Sequence, residues 1–65
     1  MIEYTNSYIA DVIDEYIHSD RNRAILKDRF VDGWTYERIA DHYDMSVRQI
    51  KRIIYKSQDQ LFKHL

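Results

Sequence analysis

Thr35-Tyr36-Glu37-Arg38-Ile39-Ala40-Asp41-His42-Tyr43-Asp44-Met45-Ser46-Val47-Arg48-Gln49-Ile50-Lys51-Arg52-Ile53 holds two short helical patterns on either side of a break at Asp44-Met45-Ser46. Before the break, Tyr36, Ile39, Ala40 and Tyr43 recur at the spacing that lines one face of a helix. After it, Val47, Ile50, Ile53 and Ile54 repeat that spacing, with Arg48, Gln49, Lys51 and Arg52 set between them. Two helices joined by so short a turn make a helix-turn-helix. The second helix of that element has the width to enter the major groove of DNA.

The residues at the break suit the turn. Asp tolerates left-handed backbone better than most residues other than glycine, and Met45 can tuck inward. Ser46 can cap the helix that follows, its side-chain oxygen accepting a free amide hydrogen of the first turn. Thr35 can do the same for the helix before, where Glu37 also sits near the positive end of the dipole.

Working outward, Ile9, Val12, Ile13, Tyr16 and Ile17 put one apolar face on a helix over Asn6–His18, with Asp11, Asp14 and Glu15 on the other side. Ser19 or Asp20 can cap a second helix reaching about Val31, which buries Ala24, Ile25 or Leu26, and Phe30. Gly33 fits as its stop, because glycine enters left-handed backbone without a steric penalty. The last helix can extend to Lys63, with Val47, Ile50, Ile53, Ile54 and Leu61 as its buried stripe. The sequence therefore predicts one all-α domain over 1–65, a three- to four-helix bundle with helices at about 6–18, 20–31, 36–43 and 47–63.

Composition narrows the function. The chain has 65 residues, no proline, one glycine and no cysteine, so neither disulfides nor thiolate metal sites support the fold. No apolar run approaches the roughly 20 residues needed to span a bilayer, and no basic segment leads into an apolar one, so a cytoplasmic protein without membrane contact is expected. The formal charge of −1 conceals a strong gradient. Residues 1–20 carry Glu3, Asp11, Asp14, Glu15 and Asp20 with no Lys or Arg, while residues 46–65 carry Arg48, Lys51, Arg52, Lys56 and Lys63 against Asp59 alone. Local charge, rather than the sum, sets what each face attracts.

His18, His42 and His64 lie too far apart for a metal-ligand motif, and there is no Cys–His pair or glycine-rich phosphate cradle. No catalytic residue, metal or cofactor is assigned, and an enzyme is the class with least support. Trp34 and the tyrosines read as packing residues, with Trp34 covering the corner between the second and third helices.

Asp32-Gly33-Trp34-Thr35-Tyr36-Glu37-Arg38-Ile39-Ala40, followed by Met45-Ser46-Val47-Arg48-Gln49-Ile50-Lys51-Arg52-Ile53, resembles region 4 of sigma-70-type initiation factors. The shared pattern is a glycine, an apolar-Thr pair, Glu-x-Ile-small, then apolar-Ser and a basic recognition helix. Arg23-Ala24-Ile25-Leu26-Lys27-Asp28-Arg29-Phe30 is similar to the helix that precedes it, and the likeness covers about Arg21 to Leu61. The resemblance implies a DNA-binding domain whose last helix enters the major groove. Arg48, Gln49, Lys51 and Arg52 match the family's recognition-helix positions, and Thr35 matches a position that contacts backbone phosphate. Three residues depart from the pattern: Asp44 replaces the usual turn glycine, Val47 stands where a polar or basic residue is common, and Ile54 where a charge is frequent. A full initiation factor also needs core-binding and promoter-melting regions that 65 residues cannot hold, which favours a small stand-alone regulator of phage or bacterial type.

The leading expectation is thus a sequence-specific double-stranded DNA-binding transcriptional regulator. Its DNA-contacting residues are taken as Thr35, Arg38, Ser46, Val47, Arg48, Gln49, Lys51, Arg52 and Lys56, with helix 47–56 in the groove. Arg and Lys suit guanine edges and Gln suits adenine, while Arg38 and Lys56 are assigned to phosphate. Val47 has two readings, the core or a thymine methyl. Two alternatives remain: a protein-interaction module that binds RNA polymerase or another regulator, and the DNA-recognition subunit of phage packaging. A homodimer through Ile54, Tyr55, Leu61, Phe62 and Leu65 of the C-terminal helix is a further expectation, set against packing of that strip on the first helix. The acidic face Asp11/Asp14/Glu15 reads as solubilising surface or as a docking face for a basic partner.

Overall fold

The computed structural model describes residues 4–65, so Glu3 of the acidic segment lies outside the described residues. Four helices follow one another, α1 (Asn6–Tyr16), α2 (Asp20–Phe30), α3 (Tyr36–Tyr43) and α4 (Val47–Phe62), with no strand among the described residues. Each starts at a hydroxyl residue in extended backbone whose side chain accepts an amide hydrogen from the first turn. Ser19, Thr35 and Ser46 fill that role for α2, α3 and α4 as their sequence positions predict. Thr5 does it for α1, accepting from the Tyr8 amide at 3.0 Å.

The first helix stops at Tyr16, two residues short of the expected His18. Ile17 turns to extended backbone and its side chain goes into the core at 5 % exposure. The freed Ile17 carbonyl is not left without a partner, because the Arg23 guanidinium donates to it from α2. The second helix ends at Phe30, and its last turn widens. The Asp32 amide reaches back to the Lys27 carbonyl at 3.0 Å and the Trp34 amide to the Asp28 carbonyl at 2.9 Å. Gly33 makes that turn possible with φ 72°.

The core is built from aliphatic side chains of all four helices. Ile13, Ile25, Leu26, Ile39, Ile50, Ile54 and Leu61 are each completely removed from solvent. Full burial of such a side chain contributes roughly 1.5–3 kcal/mol, which is large in a chain this short. Helix α4 packs on each of the other three and most extensively on α3, while α1 meets α2 and α4 only. Ala40, 5 % exposed, lies in the core on the α3 side of that contact, where a small side chain suits a close approach. A polar tie joins α3 to α2: the Tyr43 hydroxyl donates to the Asp28 carboxylate at 2.6 Å.

This packing corrects the dimer expectation at two positions. Ile54 and Leu61 are fully buried within the fold and offer nothing to a second copy. Helices α1 and α2 both press on α4, so the strip that contains them is spent inside the chain. Leu65 is half-buried against the same core. Tyr55 and Phe62, 50 % and 53 % exposed, are the members of that set left at the surface.

Candidate nucleic-acid interface

The turn between α3 and α4 is closed by the backbone itself. Asp44 takes left-handed backbone, φ 54° and ψ 46°, at the position where a glycine would be unstrained. Its amide donates to the Asp41 carbonyl at 3.4 Å, and the Met45 amide donates to the Ala40 carbonyl at 2.9 Å. These crossed bonds form a Schellman motif that satisfies the last carbonyls of α3 and redirects the chain within two residues. Met45 then turns inward and packs against the core, as expected.

Ser46 starts α4 through a reciprocal capping box. The Gln49 amide donates to Ser46 Oγ at 3.1 Å, and the Ser46 amide donates to Gln49 Oε1 at 2.9 Å. The Ser46 hydroxyl hydrogen also points to Gln49 Oε1, at 3.2 Å. Two amides of the helix start are satisfied without a partner molecule, so α4 begins as a rigid rod. The side-chain oxygen of Gln49 is therefore engaged within the chain. A bidentate contact with adenine requires that same oxygen together with the amide nitrogen.

From this fixed start the helical repeat sorts the side chains. Ile50, Ile54 and Leu61 point to the core. Arg48, Gln49, Arg52 and Lys56 are all exposed on the opposite side. Arg48, Arg52 and Lys56 stand one turn apart and run about 12 Å along the axis, comparable to the roughly 12 Å width of the major groove. None of the three enters an ion pair; the ion pairs among the described residues are Arg23–Asp20 and Lys27–Asp14. Like charges at successive turns repel by about 0.2–0.5 kcal/mol per pair, so the ladder works against the isolated helix.

The remaining predicted residues are placed differently. Val47 is half-buried and packs against the core. Lys51 is half-buried too, and its ammonium lies 5.4 Å from the centre of the Tyr36 ring instead of facing outward with Arg52. Thr35 and Arg38 are exposed at the start of α3, and Thr35 Oγ1 accepts the Arg38 amide at 3.1 Å. The structure thus brings Arg48, Arg52 and Lys56 onto one strip, with Gln49 held at its edge, Lys51 to one flank, and Thr35 and Arg38 on the neighbouring helix.

An aromatic platform beside the interface escaped the sequence reading. Tyr36 receives the Arg29 guanidinium at 4.4 Å as well as Lys51, and its ring meets Tyr55 edge-on at 6.4 Å. Trp34 receives the Arg38 guanidinium at 4.1 Å and meets His42 edge-on at 5.4 Å. The second pairing left a trace in the sequence, since Trp34 and Arg38 are four apart across a helix start. The first joins three helices and left none. At the rear of the motif, burial and the hydrogen bond to Asp28 push the Tyr43 phenol up to about 12.

Residues 19–63 match the family model described as sigma-70, region 4, and the chain belongs to that family, whose domains are DNA-binding helix-turn-helix modules. Helix α1 lies before the matched span. No curated protein and no solved structure shows a significant match to the chain.

Proposed function

We propose that this sigma-70 region 4 domain is a sequence-specific double-stranded DNA-binding transcriptional regulator that seats α4 in the major groove. The observation that carries the reading is the strip of Arg48, Arg52 and Lys56, exposed, without ion-pair partners and rooted in a rigid helix start. Such a ladder destabilises the free helix and gains its compensation beside a polyanion. Arg48 and Arg52 are assigned to base edges, Lys56, Thr35 and Arg38 to phosphate. Val47, Ser46, Gln49 and Lys51 complete the interface: Ser46 and Gln49 fix the helix start, Val47 contacts the groove only with its outer methyl, and Lys51 adds charge from the flank.

Selection of bound fragments from random duplexes, followed by gel-shift titration, tests this directly. Arg48→Ala and Arg52→Ala are each expected to lose about 1–3 kcal/mol of affinity for the selected site. Wild-type affinity is expected to fall with salt by roughly 0.9 log units per log unit for each phosphate neutralised. Unchanged affinity in both variants would refute the assigned surface.

A second reading, a module that binds RNA polymerase or another regulator, draws on the exposure of Tyr55 and Phe62. It predicts that Tyr55→Ser and Phe62→Ser abolish regulation while leaving duplex affinity intact. A DNA-recognition role in phage packaging would use the same α4 surface, and gene neighbourhood separates it from transcription.

A further inference from the structure

We infer that Trp34 is a positioning residue that presents Arg38 to the phosphate backbone beside the groove. The inference rests on the DNA-binding reading above and adds to it a residue outside the helix-turn-helix contact set. The indole is itself held in place. Its backbone amide donates to the Asp28 carbonyl at 2.9 Å, and its carbonyl accepts from the Arg29 guanidinium at 3.0 Å. The ring is half-buried, packs against the core and has His42 against its edge. Above this anchored surface lies the Arg38 guanidinium, 4.1 Å from the ring centre.

The way Arg38 is held decides what it can still do. A carboxylate would occupy its N–H groups, and although Glu37 and Asp41 are near in sequence, Arg38 enters no ion pair among the described residues. A guanidinium held over a ring by its charge, with no carboxylate on its N–H groups, can still donate to two phosphate oxygens. Thr35 lies next to it with its oxygen taken by the Arg38 amide, which leaves the hydroxyl hydrogen as a second donor. Arg38 is therefore ordered before DNA arrives. Ordering a long side chain on binding ordinarily weakens association, and removing the indole is expected to lower affinity by about three- to tenfold.

The test uses the full chain and a labelled mixed-sequence DNA duplex at low salt, with affinity read by fluorescence anisotropy. Trp34→Leu is expected to lose that factor and Trp34→Phe, which keeps an aromatic face, about half of it on a logarithmic scale. Arg38→Ala should weaken binding and reduce the salt slope by about 0.9. In the Arg38→Ala background, Trp34→Leu should then have no further effect. A further loss in that background would assign Trp34 a purely structural role and overturn the inference. Unchanged affinity and slope in Arg38→Ala would instead refute the phosphate contact itself, so the two failures are distinguishable.

Trp34 is the one tryptophan in the chain, which supplies a second readout that does not depend on any Trp34 variant folding. Unlabelled duplex is expected to shift wild-type tryptophan emission and to leave emission of Arg38→Ala unchanged at saturating DNA. Equal shifts in both proteins, or none in the wild type, would overturn the inference.

Discussion

Replacing Arg52 with Gln should stabilise the free protein and weaken its complex with DNA, two effects of opposite sign from one atom group. Arg52 is the middle rung of the ladder, one turn from Arg48 and one turn from Lys56, and all three are exposed. Neutralising it removes two like-charge pairs, each costing about 0.2–0.5 kcal/mol. Gln has nearly the helix propensity of Arg, so little else changes in the helix. The expected gain is about 0.4–1 kcal/mol at low salt, or a Tm raised by roughly 2–8 °C in a domain of this size. The gain should disappear near 1 M salt, where the screening length of about 3 Å falls below the roughly 5–6 Å between neighbouring turns. Affinity for the selected duplex should drop fivefold or more, corresponding to at least about 1 kcal/mol for a lost base contact. Thermal melts at two salt concentrations, paired with gel-shift titration, read both quantities. A Tm that does not rise at low salt, or a rise that persists at high salt, would refute the repulsion argument. A stabilised variant with wild-type affinity would refute the interface.

Three further outcomes follow from the elements that hold α4 in place. Asp44→Gly should raise stability by about 0.5–1 kcal/mol by relieving the left-handed backbone at φ 54°, and a lower denaturation midpoint would show that the aspartate is not strained. Ser46→Ala should cost about 0.5–2 kcal/mol by opening the capping box, whereas Gln49→Glu keeps an acceptor for the Ser46 amide and should melt near wild type; equal losses in the two would argue against the box. The Tyr43 phenol, raised to about 12 from an ordinary value near 10, favours its neutral form in the fold. Its contribution is complete below pH 10 and is lost as pH rises from 10 towards 12, so urea titrations should show wild type losing stability over that window relative to Tyr43→Phe. A constant difference between the two proteins across the window would sink the assignment.

The parts of the fold that depend on near neighbours in sequence were legible. Hydroxyl residues ahead of apolar repeats located three of the four helix starts, and Gly33 and Asp44 located two turns by their tolerance of left-handed backbone. The stop of α1 was not legible, because Ile17 continues the apolar repeat of that helix while its backbone leaves it. The turn is held by contacts beyond the helix itself, the Ile17 carbonyl accepting from Arg23, six residues on, and Ser19 capping the next helix.

The candidate site reads in the sequence as a run of basic residues but not as a division among them, and the reason lies in what each side chain finds on the next helix. Arg48, Lys51 and Arg52 look equivalent in the sequence, yet Lys51 lies on the flank where Tyr36 reaches it, and the ring holds the ammonium aside. Ser46-Val47-Arg48-Gln49 is also a capping-box signature, and the box competes with base recognition for one oxygen of Gln49. Opening the box would expose two amides at the start of the helix, a loss comparable to the roughly 1–3 kcal/mol that one base contact contributes. On the proposed reading, specificity concentrates on Arg48 and Arg52, which enter no ion pair among the described residues. Arg38 and Lys51 are instead held over the rings of Trp34 and Tyr36, and on the proposed reading they meet phosphate from there. On the proposed reading, α4 reads sequence with the few cations that stay unpaired, and it is the packing of its neighbours that decides which ones.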